Sequence, residues 1–346
     1  MFENLHRLAM MGWNITVYAY NFGDWPSDIP VKWIEVPGKK IPTNLLKNLW
    51  FSLYTYFALK NTKIPVMTAG TCSWQADIRV VHFVHKSFLS LIKKGRAPYP
   101  NDRTIIHRLY QMLFARIEVA FEHLFFKHTK LFISVSKQIA KEVDDLVRPK
   151  KIPSKVIYHA PDAATYIKEK HGNRFLFVGA LDRKGIDKAL RVLSLLPSQD
   201  WTFDVVGTGD LPRWKKLAES LGINERVIFH GATPAAEFFA ASDFLIFPSN
   251  YEPFGLVVSE AASNHCLPIA SSECGAMELW RDRPEWLKLS STDDDALWAA
   301  AIEKVFFSRD LRHQLITSCR SDFSKWSWDQ SAKAYEDALL PFMRQA

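Results

Sequence analysis

Two carboxylates stand eight positions apart in residues 250–261, which read "NYEPFGLVVSEA". Glu252 precedes a Phe-Gly pair, and Glu260 lies about two turns into the helix that the following apolar run predicts. Backbone amides at a helix start can bind a phosphate, and carboxylates accept hydrogen bonds from hydroxyl groups. The spacing therefore fits a ligand that carries a diphosphate between two polyol groups, as a sugar nucleotide does.

Glycines and cations follow two earlier predicted strands. In "FLFVGALDRKG", Arg183 and Lys184 come between a strand and the Gly185 that opens the next helix. This arrangement can bind a phosphate or diphosphate, although an Arg-Lys pair on a loop can also be ordinary solvated surface. In "VVGTGD", Gly207 and Gly209 follow the next strand, where a glycine pair also occurs in turns without function.

Short apolar strands alternate with helical segments along the chain, as is typical of parallel sheets. The clearest strands are "RFLFVGA", "WTFDVVGTG", "RVIFHGA", "DFLIFPS" and "LPIASSE". A polar stretch near residues 160–170 marks a domain boundary. We therefore expect two α/β domains, with the ligand in the cleft between the carboxyl ends of their strands.

Composition excludes several classes of protein. The chain has 346 residues, 48% of them apolar, which argues against a disordered or fibrous protein. The four cysteines show no CxxC spacing, so we expect neither a zinc site nor a disulfide framework. We also expect the protein to reside in a reducing cytoplasm. No apolar run reaches the roughly 18 residues that span a bilayer, the best being "LWFSLYTYFAL" at 49–59, and the N-terminus does not resemble a signal peptide.

The first half of the chain is basic. Residues 1–160 contain 23 Lys and Arg against 11 Asp and Glu, whereas residues 161–346 contain 21 against 26. Such a half predicts an anionic partner, either a phospholipid surface or nucleic acid, unless it is merely a cationic soluble surface. No nucleic-acid-reading motif is recognisable. The basic apolar stretches "SFLSLIKKGRAPYP" and "TIIHRLYQMLFARIEVAFEHLFF" can lie in a membrane interface or pack as core-facing segments with a solvated basic side.

An ordered series of motifs over residues 174–280 carries a family resemblance: "FVGALDRKG", "FDVVGTGD", "LAESLGINERVIFHG", "ASDFLIFPSNYEPFGLVVSEAA" and "CGAMEL". It resembles the C-terminal domain of retaining glycosyltransferases of family 4, which have the GT-B fold. The resemblance implies an α/β chain of two Rossmann-like parallel-sheet domains that face a central cleft. Residues 1–160 would form the acceptor-side domain, 161–322 the nucleotide-sugar domain, and 323–346 a final helix that returns to the first domain.

The resemblance also implies roles for individual residues. Glu252 would contact the hydroxyls of the donor sugar, Glu260 would hold the ribose, and Lys184 would neutralise the leaving diphosphate. His85, which matches the family's histidine better than His82, would line the donor sugar and join Glu252 and Lys184 as a catalytic residue. The donor-binding set would be Gly179, Arg183, Lys184, Gly207, Gly209, Gly231, Glu252, Phe254, Gly255, Leu256, Val257 and Glu260.

By the same resemblance, neither a metal nor a cofactor is required, because cations and a helix N-terminus stabilise the departing charge. The acidic run "TDDDALW", with Asp293, Asp294 and Asp295, could suggest a metal-dependent transferase. Three acids that open a helix are more typical of a capped, solvated helix terminus.

The chain departs from the family pattern at several positions. The family's first strand and Gly-Gly loop are absent, so we expect an incomplete N-terminal domain. Ala180 replaces the family arginine, with Arg183 as its possible substitute, and His265 and Cys266 stand where a glycine is expected.

We therefore hypothesise a retaining glycosyltransferase that moves a hexose or related sugar from a nucleoside-diphosphate sugar to a glycan or lipid-linked hydroxyl acceptor. It would be cytoplasmic, with an anionic membrane's inner face as a candidate location, and would have no nucleic-acid partner. The alternative is a catalytically degenerate relative that binds a sugar nucleotide or a partner protein.

Overall fold

The computed structural model of the chain describes residues 2–23, 29–95, 105–161 and 173–343. The predicted boundary at residues 160–170 and part of the basic stretch at 87–100 therefore lie outside the described residues. The strands are β1 (Ile15–Ala19), β2 (Val31–Glu35), β3 (Met67–Ala69), β4 (Ile78–Val81), β5 (Leu131–Ser134), β6 (Ser154–Val156), β7 (Arg174–Val178), β8 (Thr202–Val206), β9 (Val227–Gly231), β10 (Phe244–Phe247) and β11 (Leu267–Ala270).

Helices follow most of these strands. They are α1 (Phe2–Met10), α2 (Asn44–Leu59), α3 (His85–Lys93), α4 (Ile105–Phe125), α5 (Lys137–Val147), α6 (Ile186–Ser194), α7 (Leu211–Ser220), α8 (Ala236–Ala241), α9 (Leu256–Ser263), α10 (Asp295–Phe307), α11 (Arg309–Phe323) and α12 (Trp328–Met343). Among the described strands every ladder is parallel, so the predicted α/β class is confirmed.

The chain divides into two compact units. Unit 1 contains residues 1–89, 105–159 and 327–346, and unit 2 contains residues 90–104 and 160–326. In unit 1 the C-terminal helix α12 packs against α1. Arg7 Nε donates to Asp329 at 2.7 Å, and Trp13 Nε1 donates to Glu336 at 3.2 Å.

Unit 2 contains a five-stranded sheet in the order β11-β10-β7-β8-β9. Its central strands read as nearly continuous apolar runs, because helices cover both faces of a parallel sheet. Phe175, Phe177, Phe203, Phe244 and Phe247 are all almost completely buried. The rings of Phe175 and Phe244, near the start of two neighbouring strands, stack with centroids 4.9 Å apart, and this aromatic core holds β7 and β10 together.

Unit 1 contains two separate sheets. β1 pairs only with β2 among the described strands, and β3-β4-β5-β6 form a four-stranded sheet. β4 and β5 are buried along their whole length. Buried Arg79 on β4 donates to Thr129 Oγ1 and to the carbonyls of Gly70 and Trp74, at 2.8 to 3.0 Å, which ties two loops to this sheet.

The long apolar stretch at 49–59 lies within α2. Among the described helices, none combines the length and apolar character needed to cross a bilayer.

Candidate functional site

The predicted donor residues gather at one edge of the unit 2 sheet. Its strands are parallel, so the loops after β7, β8, β9 and β10 all leave from the same side. Lys184 lies in the first of these loops and Glu252 in the last. β7 and β10 are neighbours in the sheet, which brings these two loops together although they are far apart in sequence.

Lys184 and Glu252 form an ion pair in which both side chains are largely buried. The Lys184 ammonium also lies 5.5 Å from the centre of the Phe247 ring. Burial, and then the nearby Arg183 charge, lowers the pKa of Lys184, whereas a carboxylate in contact favours the charged form. An anionic ligand at this position would replace Glu252 as the counter-ion of Lys184. The Glu252 carboxylate would then be available for other hydrogen bonds.

The turn that carries Glu252 depends on a glycine. Gly255 has a φ of +89°, and a Cβ atom added there would lie 2.6 Å from Cys274 Sγ and 2.9 Å from Glu252 Cγ. Any larger residue would therefore be strained and would push on the carboxylate itself. Gly255 also directly precedes α9, and without a side chain it cannot cap the first amides of that helix. Those amides remain oriented for an anion.

A second segment, residues 273–276, holds the same turn from behind. Glu252 N donates to Glu273 O at 3.1 Å, and Gly275 N donates back to Glu252 O at 2.9 Å. The fully buried Cys274 thiol donates to Phe254 O at 3.0 Å, and burial raises its pKa to about 12. The motif "CGAMEL" carried the family resemblance, but the function of Cys274 as a brace for the turn was not predicted.

Glu260 lies on α9 one turn beyond Leu256, on the less buried side of the helix. The opposite side, with Val258, Ser259, Ala261 and Ala262, is buried against the unit 2 core. Val257 is partly buried between the two sides. Glu260 therefore lies about one turn into α9 and not the expected two, because the helix begins at Leu256.

The loops after β7 and β8 pack backbone against backbone. A Cβ atom at Gly207, whose φ is +149°, would lie only 1.8 Å from Gly179 O. Gly179 N donates to Val206 O at 2.9 Å, and Leu181 N donates to Thr208 O at 2.9 Å. Close packing between loops thus accounts for Gly207 and Gly179, whose predicted ligand contacts stay predictions.

Asp182 was not predicted, yet it orders the loop that contains Arg183 and Lys184. Its carboxylate accepts a hydrogen bond of 2.9 Å from the indole of buried Trp214 on α7. The added Cβ of Gly209 would lie 3.1 Å from the same carboxylate, so this glycine also leaves room for the loop. Arg183 is partly buried beside Lys184, and burial lowers its pKa. A buried arginine retains its charge, so two cations share this loop.

Gly231 ends β9 and accepts the Gly207 amide at 2.8 Å. It is therefore at the same sheet edge as the other glycines.

The acidic run before α10 is used within unit 2. Asp295 accepts hydrogen bonds from Lys188 Nζ at 2.9 Å and Arg191 Nε at 2.7 Å. Burial opposes ionisation of Asp295, but these two cations hold its pKa below the usual value. Within the described part of the chain, no group of three or more His, Cys, Asp or Glu residues could hold a metal ion.

His85 lies in unit 1, where it is the first residue of α3. The buried carboxylate of Glu122, on α4, accepts the backbone amides of His85 and Lys86 at 2.5 and 3.1 Å, and lies 3.2 Å from His85 Nδ1. A carboxylate from another helix thus caps α3 and orients the histidine. Glu122 was missed, although an acid in the apolar run "IEVAFEHLFF" is a signal that could have identified it.

His82, the histidine that matches the family less well, contacts a second histidine, His159. Its ring stacks on that of His159 with centroids 5.2 Å apart, and His82 Nδ1 lies 3.3 Å from His159 Nε2. Burial lowers the pKa of His82 to about 4, and burial together with His82 lowers that of His159 to about 3. Both imidazoles are therefore neutral at pH 7.

Comparison with known proteins adds a family to this geometry. Residues 1–165 match the model described as Glycosyltransferase Family 4, and residues 162–322 match the model described as Glycosyl transferases group 1. An uncharacterised glycosyltransferase of Methanocaldococcus jannaschii is 27% identical over 62% of this chain and 60% of its own length. The lipopolysaccharide glucosyltransferase WaaG of Escherichia coli is 27% identical over 63% of this chain and 61% of its own length.

Solved structures agree at the level of the fold. WaaG superposes with a TM-score of 0.72 at 19% identity, covering 97% of this chain and 94% of WaaG. Sucrose-phosphate synthase from Thermosynechococcus elongatus superposes with a TM-score of 0.78 at 17% identity, covering 99% of this chain and 92% of that one. Two consecutive family models, the parallel sheets and these neighbours lead to one conclusion: the chain belongs to the GT-B glycosyltransferases of family 4.

Proposed function

We propose that this protein is a retaining, metal-independent hexosyltransferase that uses a nucleoside-diphosphate sugar as donor and a hydroxyl group as acceptor. The observation that carries the proposal is the buried Lys184–Glu252 ion pair, which lies between the loop before α6 and the turn before α9. A buried cation, a second cation beside it and uncapped helix amides suit a diphosphate. Two carboxylates in the same region suit the polyols on either side of it.

Each residue then has a distinct role. Lys184, assisted by Arg183, neutralises the diphosphate as the bond to the sugar breaks, which lowers the energy of the transition state. Glu252, released from Lys184, accepts hydrogen bonds from the donor sugar, and Glu260 accepts them from the ribose. The amides of Phe254, Gly255, Leu256 and Val257 face the sugar and the phosphates, while Gly179, Gly207, Gly209 and Gly231 keep the surrounding loops close to the ligand.

The charge of the leaving group is handled by side chains and helix amides in this proposal, so no metal or cofactor takes part. His85 lines the donor sugar in this proposal, with its ring oriented by Glu122. The acceptor is a glycan or a lipid-linked glycan. The basic unit 1 would bring the protein to an anionic membrane from the cytoplasmic side.

Calorimetric titration of the full chain with UDP-, GDP- and ADP-sugars tests the donor assignment. One of the three should bind, and Glu260→Ala should weaken that binding about tenfold to a hundredfold because hydrogen bonds to a carboxylate are lost. Glu237→Ala, which removes an exposed carboxylate from α8, serves as the matched control and should leave affinity unchanged. Failure of all three nucleotide sugars to bind would support the non-catalytic alternative instead.

A further inference from the structure

Helix α2 in unit 1 presents its large apolar side chains outward. Six of them lie at helical spacing on one face and are exposed: Leu46, Leu49, Trp50, Leu53, Tyr56 and Phe57. Leu53 is 50% exposed and Phe57 is 59% exposed. A surface helix whose outer face contacts only water normally buries its large apolar side chains against the core.

The inward side of α2 is partly polar. Ser52 and Thr55 are only 7% and 2% exposed. The Thr55 hydroxyl donates within the helix to Phe51 O at 2.8 Å and also pairs with Ser73 Oγ at 3.0 Å. Because the Thr55 hydroxyl is hydrogen-bonded inside the unit, rotation of the helix to turn its apolar face inward would break these bonds.

The exposed face continues into an apolar groove of about 760 Å³. Its far wall is formed by Trp74 and by Phe121 and Phe125 of α4. The Trp74 and Phe125 rings lie 5.4 Å apart, which gives this wall a continuous aromatic surface. An exposed apolar surface of this extent on one side of a unit is typical of an interaction site.

The segment that contains α2 is basic in sequence, although Lys39 pairs with Glu35 just before it at 2.7 Å and Glu118 of α4 accepts a hydrogen bond from Asn48 of α2. Residues 36–76 contain five lysines and no aspartate or glutamate. Lys39 and Lys40 precede the helix, and Lys60 and Lys63 follow it; all four are exposed. Lys60 Nζ lies 5.6 Å from the centre of the Phe57 ring, at the end of the apolar face. An apolar face with lysines at both ends complements the acyl region and the anionic headgroups of a lipid leaflet.

We infer that the apolar face of α2, with its flanking lysines, docks the protein on an anionic phospholipid bilayer. The helix lies in the plane of the interface, with the six apolar side chains among the acyl chains and the lysines at the headgroups. This inference deepens the proposed membrane association by assigning it to α2 rather than to the basic stretches at 87–127. It does not depend on the transfer reaction.

Co-sedimentation with vesicles tests the assignment. The purified chain should bind vesicles of phosphatidylcholine and phosphatidylglycerol, and bind pure phosphatidylcholine vesicles far more weakly. Leu53→Glu with Phe57→Glu should reduce binding about tenfold or more because two apolar anchors are lost. Lys60→Gln with Lys63→Gln should reduce binding to the anionic vesicles roughly twentyfold and should weaken the dependence on salt.

The matched control is Leu297→Glu with Phe307→Glu on α10 of unit 2, where the two side chains are 52% and 61% exposed. These substitutions have the same chemistry on another exposed helix and should leave vesicle binding unchanged. Light scattering on every variant measures whether α2 instead binds a second copy of the chain.

The inference is overturned if the wild type does not bind anionic vesicles. It is equally overturned if Leu53→Glu with Phe57→Glu and the control Leu297→Glu with Phe307→Glu weaken binding by the same factor. It is also overturned by a second result: the wild type is a dimer and does not bind vesicles, and Leu53→Glu with Phe57→Glu converts the dimer to a monomer. Nucleotide-sugar binding by the same α2 variants should be intact. A failure of docking is therefore distinguishable from a failure of the proposed transferase.

Discussion

The carboxyl edges of the two larger sheets carry opposite kinds of polar side chain. In unit 2 this edge has an ion pair between Lys184 and Glu252, with Arg183 nearby. In unit 1 the corresponding edge has two stacked imidazoles, His82 and His159, whose pKa values are lowered by burial. The unit 2 edge thus carries a buried ion pair, whereas the unit 1 edge carries a pair of neutral hydrogen-bonding rings, with the Glu122 carboxylate at His85 a few residues beyond β4.

This difference indicates that the two sheet edges suit different parts of a ligand. Fixed charge that is already desolvated can stabilise a diphosphate without reorganisation, so we expect the donor to bind at the unit 2 edge. Neutral rings can accept or donate single hydrogen bonds but supply no counter-charge, which suits contact with a polyol. Three substitutions, Lys184→Ala, Gly255→Ala and His159→Gln, test this difference between the sheet edges.

Removal of the buried cation should have the largest effect. Lys184→Ala should lower turnover roughly a hundredfold to a thousandfold, because one donor to the developing negative charge is lost. Turnover is measured as release of nucleoside diphosphate from the nucleotide sugar that binds. The donor dissociation constant should change much less.

The exposed Lys215→Ala on α7 is the matched control and should behave as wild type. A folded Lys184→Ala protein with turnover close to that of wild type would contradict the role of the unit 2 charge.

Distortion of the Glu252 turn should have the next effect. Gly255→Ala forces a Cβ atom against Cys274 and Glu252 at a φ of +89°, so we expect a loss of about 2–3 kcal/mol in stability and at least roughly tenfold weaker donor binding. The measurements are denaturant unfolding and calorimetry.

Gly222 provides a comparison that isolates the clash. Its φ is +69°, but a Cβ atom there would have no neighbour within 4 Å. Gly222→Ala should therefore cost only about 1 kcal/mol from backbone strain, with donor affinity unchanged. Equal losses of affinity in the two variants would show that the turn does not shape the site.

The histidine pair should give the smallest effect, and it should appear only in acid. The folded state lowers the pKa of His159 to about 3, so below about pH 6.5 the unfolded state binds more protons than the folded state. The stability that this residue contributes is present above pH 6.5 and declines as the pH falls toward 3. Between pH 7 and pH 5 the wild type should lose about 1–2 kcal/mol more than His159→Gln.

Denaturant midpoints at the two pH values provide this comparison. His313→Gln, at an exposed position of α11, should retain the acid sensitivity of the wild type. Acid sensitivity that is identical in His159→Gln and in the wild type would remove the distinction between the two sheet edges.

The sequence predicted the unit 2 edge well, for physical reasons. Buried parallel strands leave continuous apolar runs, and the glycines at their ends mark places where backbones approach closely, as Gly207 and Gly179 do. Lys184, Glu252 and Glu260 follow from local context, because loop cations and helix starts have recognisable patterns.

Contacts between distant segments were not predictable. The Cys274 thiol reaches Phe254 O across 20 positions, and Glu122 caps α3 across 36 and 37 positions. His82 and His159 meet because β4 and β6 both flank β5, which no local pattern reveals. The outward apolar face of α2 also contradicts the usual rule that a helix buries its apolar side, and only the position of Ser52 and Thr55 in the folded unit identifies it.

The most direct test of the central claim is the calorimetric titration of nucleotide sugars into the wild type and Glu260→Ala. We expect one nucleotide sugar to bind the wild type and the substitution to weaken this binding about tenfold or more, whereas Glu237→Ala should not weaken it. Equal affinity of the wild type and Glu260→Ala for that sugar nucleotide would contradict the placement of the donor at the carboxyl edge of the unit 2 sheet.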